Sequence, residues 1–283
     1  MTLLPPPLEQ PLAQKVLDYL RLEATPPSLA ALDALLDAYV RRVPWESVSR
    51  ITRRAQIPDL LRSARWPQLF WQQALIHGTG GTCYESNYAF FSLLRTLGYD
   101  GHLTINNMED LVGCHAAIII HLDDQPYLVD VGLPVHTVLP LDPATPTIRE
   151  SAYHTYRATP QSNGCYLIER DRHPNPNCYT LYDTPVSNAD YRAITIQDYS
   201  EENGQFLRRV IVVRVIEGVI WRFSSADGPP YHLESFAGDD KTYYHLGSDP
   251  LAAADQVAAR FQLNQTLLRT AILSLSYNPN LDT

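Results

Sequence analysis

The hydrophobic pattern of the chain changes at Gly98, and this change limits the possible folds more than any other feature of the sequence. Ahead of it, Ser28 is a plausible helix N-cap, and apolar residues follow it at helical spacing. A second helix is predicted over 66–76. A third begins near Cys83 and ends at Gly98, a residue typical of helix C-termini. The first 98 residues therefore predict a bundle of helices.

After Gly98 the pattern becomes that of β-strands. Short apolar or alternating segments predict strands at 99–105, 115–122, 127–131, 153–157, 165–170, 179–183 and 191–196. A polar loop is expected to run through Gly113, which makes His115 the first residue of its strand. Asp123 and Asp124 are expected to form a two-residue hairpin turn. This part of the chain predicts a curled antiparallel sheet or barrel.

The C-terminal third mixes both patterns. A hairpin is predicted around a turn at Glu217 and Gly218, with strands and following helices at 207–216, 219–223, 248–261 and 264–274. The sequence therefore predicts an α+β fold in three parts. These are a helical bundle, an antiparallel β-barrel and an α/β unit, at 1–98, 99–200 and 201–283.

Composition and charge narrow the class of protein. With 45% hydrophobic and 19% charged residues, the chain is expected to fold into a globular protein. Its net charge of -9 argues against a nucleic-acid partner, because such proteins gather Lys and Arg on one face. No apolar run is long enough for a membrane helix, and the N-terminus lacks the pattern of a signal peptide. We expect a cytoplasmic protein that binds neither nucleic acid nor membrane.

One local cluster of basic residues departs from this acidic balance. Two interpretations stay open for it, a solvated face or a docking patch for an anionic ligand such as a phosphorylated cofactor. Its members are Arg50, Arg53, Arg54, Arg62 and Arg65.

The cysteine content points to free thiols in a reducing compartment. Four cysteines in 283 residues are too few for a disulfide scaffold, and their spacing does not match a metal site. Each cysteine is therefore either a small buried hydrophobe or a reactive group.

Cys83 is the cysteine whose neighbours indicate chemistry. The segment Gly80-Gly81-Thr82-Cys83 places it where a glycine-containing loop enters a helix. Helix N-termini present free N–H groups and the positive end of the helix dipole, and both favour the thiolate, which is the nucleophilic form. The glycines would let an acyl carbonyl approach backbone N–H groups that stabilise an oxyanion. Cys83 is the predicted nucleophile.

A base and an orienting acid are predicted from the hairpin that follows. If the Asp123-Asp124 turn has two residues, Asp130 lies opposite Ala117, which shares a sheet face with His115. Asp130 is then a diagonal neighbour of His115, about 7 to 8 Å away between backbones and within side-chain reach. A buried carboxylate needs a partner, and His115 supplies one. We interpret the three residues as a Cys83-His115-Asp130 triad for acyl transfer, of the kind found in papain-like and transglutaminase-like enzymes.

The motifs resemble those of the arylamine N-acetyltransferase family. That family carries Arg-Gly-Gly-x-Cys-x-Glu-x-Asn, a histidine strand and Asp-Val-Gly in this order, and a Pro-Phe-Glu-Asn-Leu segment upstream. The matching segments here lie at 79–87, 115–117, 130–132 and 44–48. The resemblance implies a helical bundle, a β-barrel and an α/β lid. It also implies a reaction in which the cysteine takes an acetyl group from acetyl-coenzyme A and passes it to an amine.

The resemblance also implies further site residues and ligands. Residues expected at the oxyanion or substrate are Tyr84, Trp45 and Leu133, and residues expected to support the loop are Glu46 and Gly81. Acetyl-coenzyme A is expected as the acyl donor, a small amine as the acceptor, and no metal. An acyl carrier protein is an alternative donor.

The chain departs from the family pattern at three places. The arginine before Gly-Gly is Thr79, so its expected ion pair with the glutamate matching Glu46 cannot form in the usual way. The asparagine after that glutamate is Ser47, and Leu133-Pro134 replaces Phe-Gly after Asp-Val-Gly. Three alternatives remain open: an amide synthase of natural-product assembly fed by a carrier protein, a hydrolase with the same triad, and a noncatalytic binding protein.

Overall fold

The computed structural model describes residues 4–133, 135–171, 176–200, 204–238 and 240–276. Pro134 and the tail beyond residue 276 lie outside the described residues. The α-helices are α1 Gln10–Leu20, α2 Leu29–Arg42, α3 Val48–Gln56, α4 Leu60–Ser63, α5 Pro67–His77, α6 Cys83–Thr96, α7 Asn188–Gln197, α8 Pro250–Phe261 and α9 Gln265–Ser276. The strands are β1 Trp45–Glu46, β2 Asp100–Met108, β3 Leu111–Leu122, β4 Gln125–Val129, β5 Leu139–Pro140, β6 Thr147–Glu150, β7 Thr155–Pro160, β8 Cys165–Arg170, β9 Asn177–Tyr182, β10 Ile211–Ile216, β11 Val219–Ser224, β12 Tyr231–Ala237 and β13 Asp240–Gly247.

Helix α6 is the central helix of the N-terminal bundle. It is buried at every position from Cys83 to Leu94, and α1, α2 and α5 pack around it in one apolar core. Ser28 is the N-cap of α2, as the sequence predicts: its hydroxyl accepts the Ala31 N–H. Because α6 is buried on all sides, its first residue is held by the core of the protein and not by a surface loop.

Eight antiparallel strands form a nearly closed barrel in the order β5-β4-β3-β2-β9-β8-β7-β6. The side chain of Thr147 on β6 donates to the carbonyl of Pro140 on β5, which links the two edges. Asp123 and Asp124 both have positive φ, 49° and 63°, and Leu122 pairs with Gln125. The predicted register is therefore confirmed up to the last pair of the ladder, and Asp130 follows directly after β4.

A second sheet has the order β1-β10-β11-β12-β13, and α3, α8 and α9 cover its apolar face. Its first strand, β1, comes from the N-terminal part of the chain and pairs Trp45 with Val213. Residues 45–56 therefore pack with the C-terminal elements, while the division of the chain at residues 98 and 200 stays a proposal. The β12–β13 hairpin was not predicted from the sequence.

Three secondary-structure predictions are wrong. Residues 191–196 form part of α7 and not a strand, because Ser187 caps the helix and Tyr191 and Thr195, one helical turn apart, are buried. Strand β3 begins at Leu111, so His115 lies inside it and pairs with Asn106. The strand predicted from residue 207 begins at Ile211, after a short 3₁₀ turn.

The basic cluster fits neither interpretation drawn from the sequence. Arg50 and Arg65 are 0% and 1% exposed, so they lie inside the protein. Arg53 donates to the carbonyls of Ser63 and Arg62, and Arg54 also donates to backbone carbonyls. Arg62 is exposed, but the five arginines together do not form one charged surface.

Over the described ranges, no helix combines the length and apolar character needed to cross a membrane.

Candidate active site

Cys83 is the first residue of α6, after an extended Thr82. The loop before it is tightly packed, because a Cβ on Gly80 would lie 1.7 Å from the Pro44 carbonyl oxygen. Cys83 is 5% exposed, and its Sγ lies 3.6 Å from the carbonyl oxygen of Cys114. The sulfur therefore sits at a helix N-terminus, as the sequence predicted, with narrow access to solvent.

The structure brings His115 and Asp130 together. His115 Nε2 lies 2.7 Å from Asp130 Oδ2, and their side chains are 2% and 0% exposed. The imidazole also interacts with the thiol of Cys83. The three residues thus form one continuous chain of polar contacts from sulfur to carboxylate, supplied by α6, β3 and the end of β4.

Both oxygens of the Asp130 carboxylate accept more than one hydrogen bond, which explains how a charge is tolerated at zero exposure. Oδ1 accepts the N–H groups of Gly132 and Leu133, at 2.7 and 3.1 Å, and the side-chain amide of Asn87 at 3.1 Å. Oδ2 accepts the Tyr179 hydroxyl at 2.8 Å as well as the histidine. These hydrogen bonds hold the Asp130 carboxylate in position and favour its ionised form.

Two of these partners, Asn87 and Tyr179, were missed as site residues. Asn87 lies one turn after Cys83 on α6, and it also donates to the Ala116 carbonyl at 2.6 Å and accepts the Val131 N–H at 3.1 Å. It therefore joins the helix to β3 and to the end of β4. Its place in the family motif was the signal that could have identified it. Tyr179 comes from the distant β9, and no local signal marks it.

The pKa values of this group follow from burial and pairing. Burial alone would lower the pKa of His115, but the Asp130 carboxylate and the contact with Cys83 raise it to about 10. Burial would raise the pKa of Asp130, yet the histidine and its other donors hold it below the usual value. Burial and Asp130 raise the pKa of Tyr179, which keeps its hydroxyl as a donor. At neutral pH His115 is therefore an imidazolium paired with the Asp130 carboxylate.

A cavity of about 590 Å³ opens beside the sulfur. Cys83 and His115 line it, together with two of the predicted substrate contacts, Trp45 and Leu133. The side chain of Tyr84 is not among the described residues that line it. That side chain is 2% exposed, and its hydroxyl donates to the carbonyl of Gly113.

His136 also lines the cavity, and sequence reasoning did not identify it. Its Nδ1 lies 2.7 Å from the hydroxyl of Tyr156. Burial lowers the pKa of His136 to about 3, and coulombic interactions with His154 and Arg170 act in the same direction. The cavity therefore contains a second imidazole that is neutral at physiological pH.

The residues expected to support the loop contact it directly. Glu46 is 0% exposed, and it accepts the Ser49 N–H and hydroxyl at 2.8 and 2.6 Å and the Gly80 N–H at 3.1 Å. Its own N–H donates to the Gly81 carbonyl at 3.2 Å. Glu46 is thus satisfied without an arginine at position 79. Ser47 donates to the Arg209 carbonyl at 2.8 Å, which ties this segment to β10.

Comparison with known proteins identifies the family. A family model described as N-acetyltransferase matches residues 28–223. The arylamine N-acetyltransferase of Mycobacterium marinum in complex with CoA superposes with a TM-score of 0.76 at 20% identity, over 92% of this chain and 98% of that chain. The arylamine N-acetyltransferase of M. tuberculosis gives a TM-score of 0.76 at 17% identity, over 95% and 100%.

A Bacillus cereus arylamine N-acetyltransferase, described as having a Cys-His-Glu catalytic triad, gives a TM-score of 0.72 at 17% identity, over 91% and 100% of the two chains. A comparison with curated protein sequences gives no match. The likeness to the solved structures confirms the predicted α+β fold, and the family model covers more than half of the sequence. The chain therefore belongs to the arylamine N-acetyltransferase family and is an acyl-transferring enzyme.

Proposed function

We propose that the protein transfers an acetyl or other short acyl group from coenzyme A to an arylamine-type amine, through a thioester on Cys83. One observation carries this proposal: the sulfur of Cys83, the His115 imidazole and the Asp130 carboxylate form one buried chain that ends at an open cavity. His115 is the proposed base and acid, and Asp130 the residue that orients it. The family membership supports the reaction class.

In the first half-reaction the Cys83 thiolate attacks the thioester carbonyl of the donor. A new carbon–sulfur bond forms and the bond to the coenzyme A sulfur breaks. The His115 imidazolium supplies the proton that the departing thiolate takes up, since its raised pKa keeps it protonated at neutral pH. The backbone N–H of Tyr84, in the first turn of α6, is the proposed donor to the oxyanion.

In the second half-reaction the amine attacks the acyl-enzyme. His115, now neutral, takes the proton that the amine loses, and the Cys83–carbonyl bond breaks to release the amide and the thiolate. Trp45 and Leu133, which line the cavity beside the sulfur, are the proposed contacts of the acceptor. The cavity is mostly apolar there, which suits an aromatic amine.

The charges around the cavity suit an anionic donor. Its described lining includes one carboxylate, Glu109, and five cationic side chains: Arg170, Arg209, Arg214, Arg222 and Lys241. Arg222 and Lys241 share Glu234, so their charge is partly balanced. Arg209 is exposed and its side chain makes no hydrogen bond to any described residue. In a chain of net charge -9, this local positive lining supports binding of the coenzyme A phosphates.

The test is acylation followed by intact mass. The protein is incubated with acetyl-coenzyme A, and we expect one acetyl adduct that aniline removes as acetanilide. Cys83→Ala should give no adduct, while Cys114→Ala, the matched control at the neighbouring thiol, should react normally. An adduct that survives in Cys83→Ala, or no adduct on the wild-type protein, would contradict the proposal.

A second acyl donor distinguishes a coenzyme A-dependent enzyme from one that takes its acyl group from a carrier protein. S-acetylpantetheine has the same thioester arm but lacks the nucleotide phosphates. We expect it to acylate Cys83 about tenfold less efficiently than acetyl-coenzyme A, and Arg209→Glu to narrow this gap, with Arg208→Glu as the neighbouring control. Equal rates for the two donors would favour a carrier-bound donor, and rapid loss of the adduct in water without amine would favour a hydrolase.

A further inference from the structure

Two fully buried arginines, Arg50 and Arg65, lie behind the loop that delivers Cys83. Both guanidinium groups are 0% exposed. Arg50 comes from α3, and Arg65 from the segment between α4 and α5. A guanidinium is costly to bury unless its N–H groups find well-placed acceptors, so the identity of the acceptors indicates what each arginine holds in place.

Arg65 binds the chain on both sides of the nucleophile. Its Nη2 donates to the carbonyl of Gly80 at 2.6 Å and to Glu85 Oε2 at 2.8 Å, and its Nε donates to Glu85 Oε1 at 3.1 Å. The backbone N–H of Arg65 reaches the same carboxylate at 3.2 Å. Gly80 precedes Cys83 in the loop, and Glu85 lies in the first turn of α6. One side chain therefore fixes the loop relative to the helix.

Arg50 holds the residue directly before Cys83. Its Nη1 donates to Thr82 Oγ1 at 2.6 Å, and its Nη2 donates to the carbonyl and the carboxylate of Asp198 at 2.7 and 2.6 Å. The Tyr199 ring lies 4.5 Å from this guanidinium, and the Tyr199 hydroxyl donates to Glu85. The two arginines thus belong to one buried network that closes around the start of α6.

The N-cap of α6 makes this network necessary. The Thr82 side chain caps no N–H of the helix, and its hydroxyl is instead an acceptor for Arg50. The Gly80 peptide is held at its N–H by Glu46 and at its carbonyl by Arg65. The loop therefore depends on side chains from three other segments for its shape, and a change in that shape moves the sulfur relative to His115.

We propose that Arg50 and Arg65 are positioning residues, which set the thiolate of Cys83 against His115 by fixing the Gly80–Thr82 loop at the start of α6. The inference rests on the proposed role of Cys83 as nucleophile. Both side chains are fully buried, and neither is among the described residues that line the cavity. A shift of about 1 Å in the nucleophile is enough to cost about a hundredfold in rate.

The test uses substitutions to lysine, which keep the positive charge but replace the planar guanidinium and its several N–H donors with an ammonium group. Arg65→Lys and Arg50→Lys should each lower the rate constant of Cys83 alkylation by iodoacetamide at pH 7 by about tenfold or more. In these variants the alkylation rate should also rise with pH with a midpoint of about 8.5, as for an ordinary thiol, because the contact between Cys83 and His115 is loosened. A loss of stability alone would leave this pH profile unchanged.

Controls separate positioning from general destabilisation. Arg53→Lys changes another arginine of α3, whose hydrogen bonds to described residues go to the carbonyls of Ser63 and Arg62, away from the loop, and it should leave the profile as in the wild type. Tyr199→Phe removes one hydrogen bond of the network and provides a milder test if a lysine variant fails to fold. Wild-type alkylation profiles in all the folded variants among Arg50→Lys, Arg65→Lys and Tyr199→Phe would overturn the proposal.

The outcome of the alkylation test does not depend on which acyl donor the protein uses. If the wild-type protein forms no acetyl adduct but Arg65→Lys still slows alkylation, the positioning role stands and the proposed function fails. If the adduct forms and all the folded variants react with iodoacetamide as the wild type does, the proposed function stands and the positioning role fails.

Discussion

Replacing Gly132 by alanine should disable the nucleophile without removing any catalytic group. A Cβ at this position would lie 2.5 Å from the Cα and the Cβ of Cys83 and 2.5 Å from the side-chain nitrogen of Asn87. Atoms at ordinary contact are about 3.5–4.0 Å apart, so the segments must separate by about 1 Å. Helix α6 is buried along this stretch and cannot retreat freely. The separation therefore changes the distance from Cys83 to His115.

The size of the effect follows from that displacement. A misplacement of about 1 Å lowers a rate by about 10²-fold, which corresponds to about 2.7 kcal/mol of transition-state stabilisation. The overpacking should also cost about 1–3 kcal/mol of folding stability. The N–H of Gly132 donates to Asp130 at 2.7 Å, so the same movement weakens the orientation of the acid.

The assay is the rate of Cys83 alkylation, located by peptide mass, beside urea unfolding. Gly164→Ala is the control: its φ of 71° makes an alanine strained, but nothing lies within 4 Å of the added Cβ. It should lose about 1–2 kcal/mol of stability and keep wild-type alkylation. If Gly132→Ala also alkylates at the wild-type rate, the packing argument is refuted.

Three further predictions follow from the polar contacts of the site. Asp130→Asn should lower acyl transfer by about 10⁴-fold in a steady-state assay, since the amide no longer fixes the protonated imidazole. Asn87→Ala should lower the free energy of unfolding by about 3 kcal/mol, because the Ala116 carbonyl loses its side-chain donor and the Val131 N–H its acceptor; a loss below 1 kcal/mol in urea titrations would contradict this. The pKa of His115 is raised from its ordinary 6.5 to about 10, so the stabilisation it gives is fully present below pH 6.5 and is lost as pH rises toward 10; unfolding free energies should show this slope, and His115→Gln should remove it.

Local chemistry was enough to predict that Cys83, His115 and Asp130 lie together. The Asp123-Asp124 turn fixes the β3–β4 register, and a two-residue period then determines which residues share a face. The start of α6 at Cys83 was also predicted, because Gly80 and Gly81 interrupt the helical pattern shortly before it. These features depend on contacts between residues that are close in sequence.

The parts that were missed depend on contacts between distant segments. Tyr179 reaches Asp130 from β9, and its role is decided by the closure of the barrel and not by its neighbours in sequence. The β-branched residues of 191–196 favour a strand by propensity, but the Ser187 cap and the packing of Tyr191 make the segment a helix. Arg50 and Arg65 were expected at the surface because arginine is seldom buried, and only the folded chain shows their acceptors.

The position of Asn87 has a consequence for how the site forms during folding. This one side chain contacts the backbone of β3, the end of β4 and the carboxylate of Asp130. Until the helix has docked on the finished hairpin, Cys83 has no imidazole beside it and is an ordinary thiol, which is mostly protonated at neutral pH. The proposed triad is therefore complete only once α6 has packed against the β3–β4 hairpin.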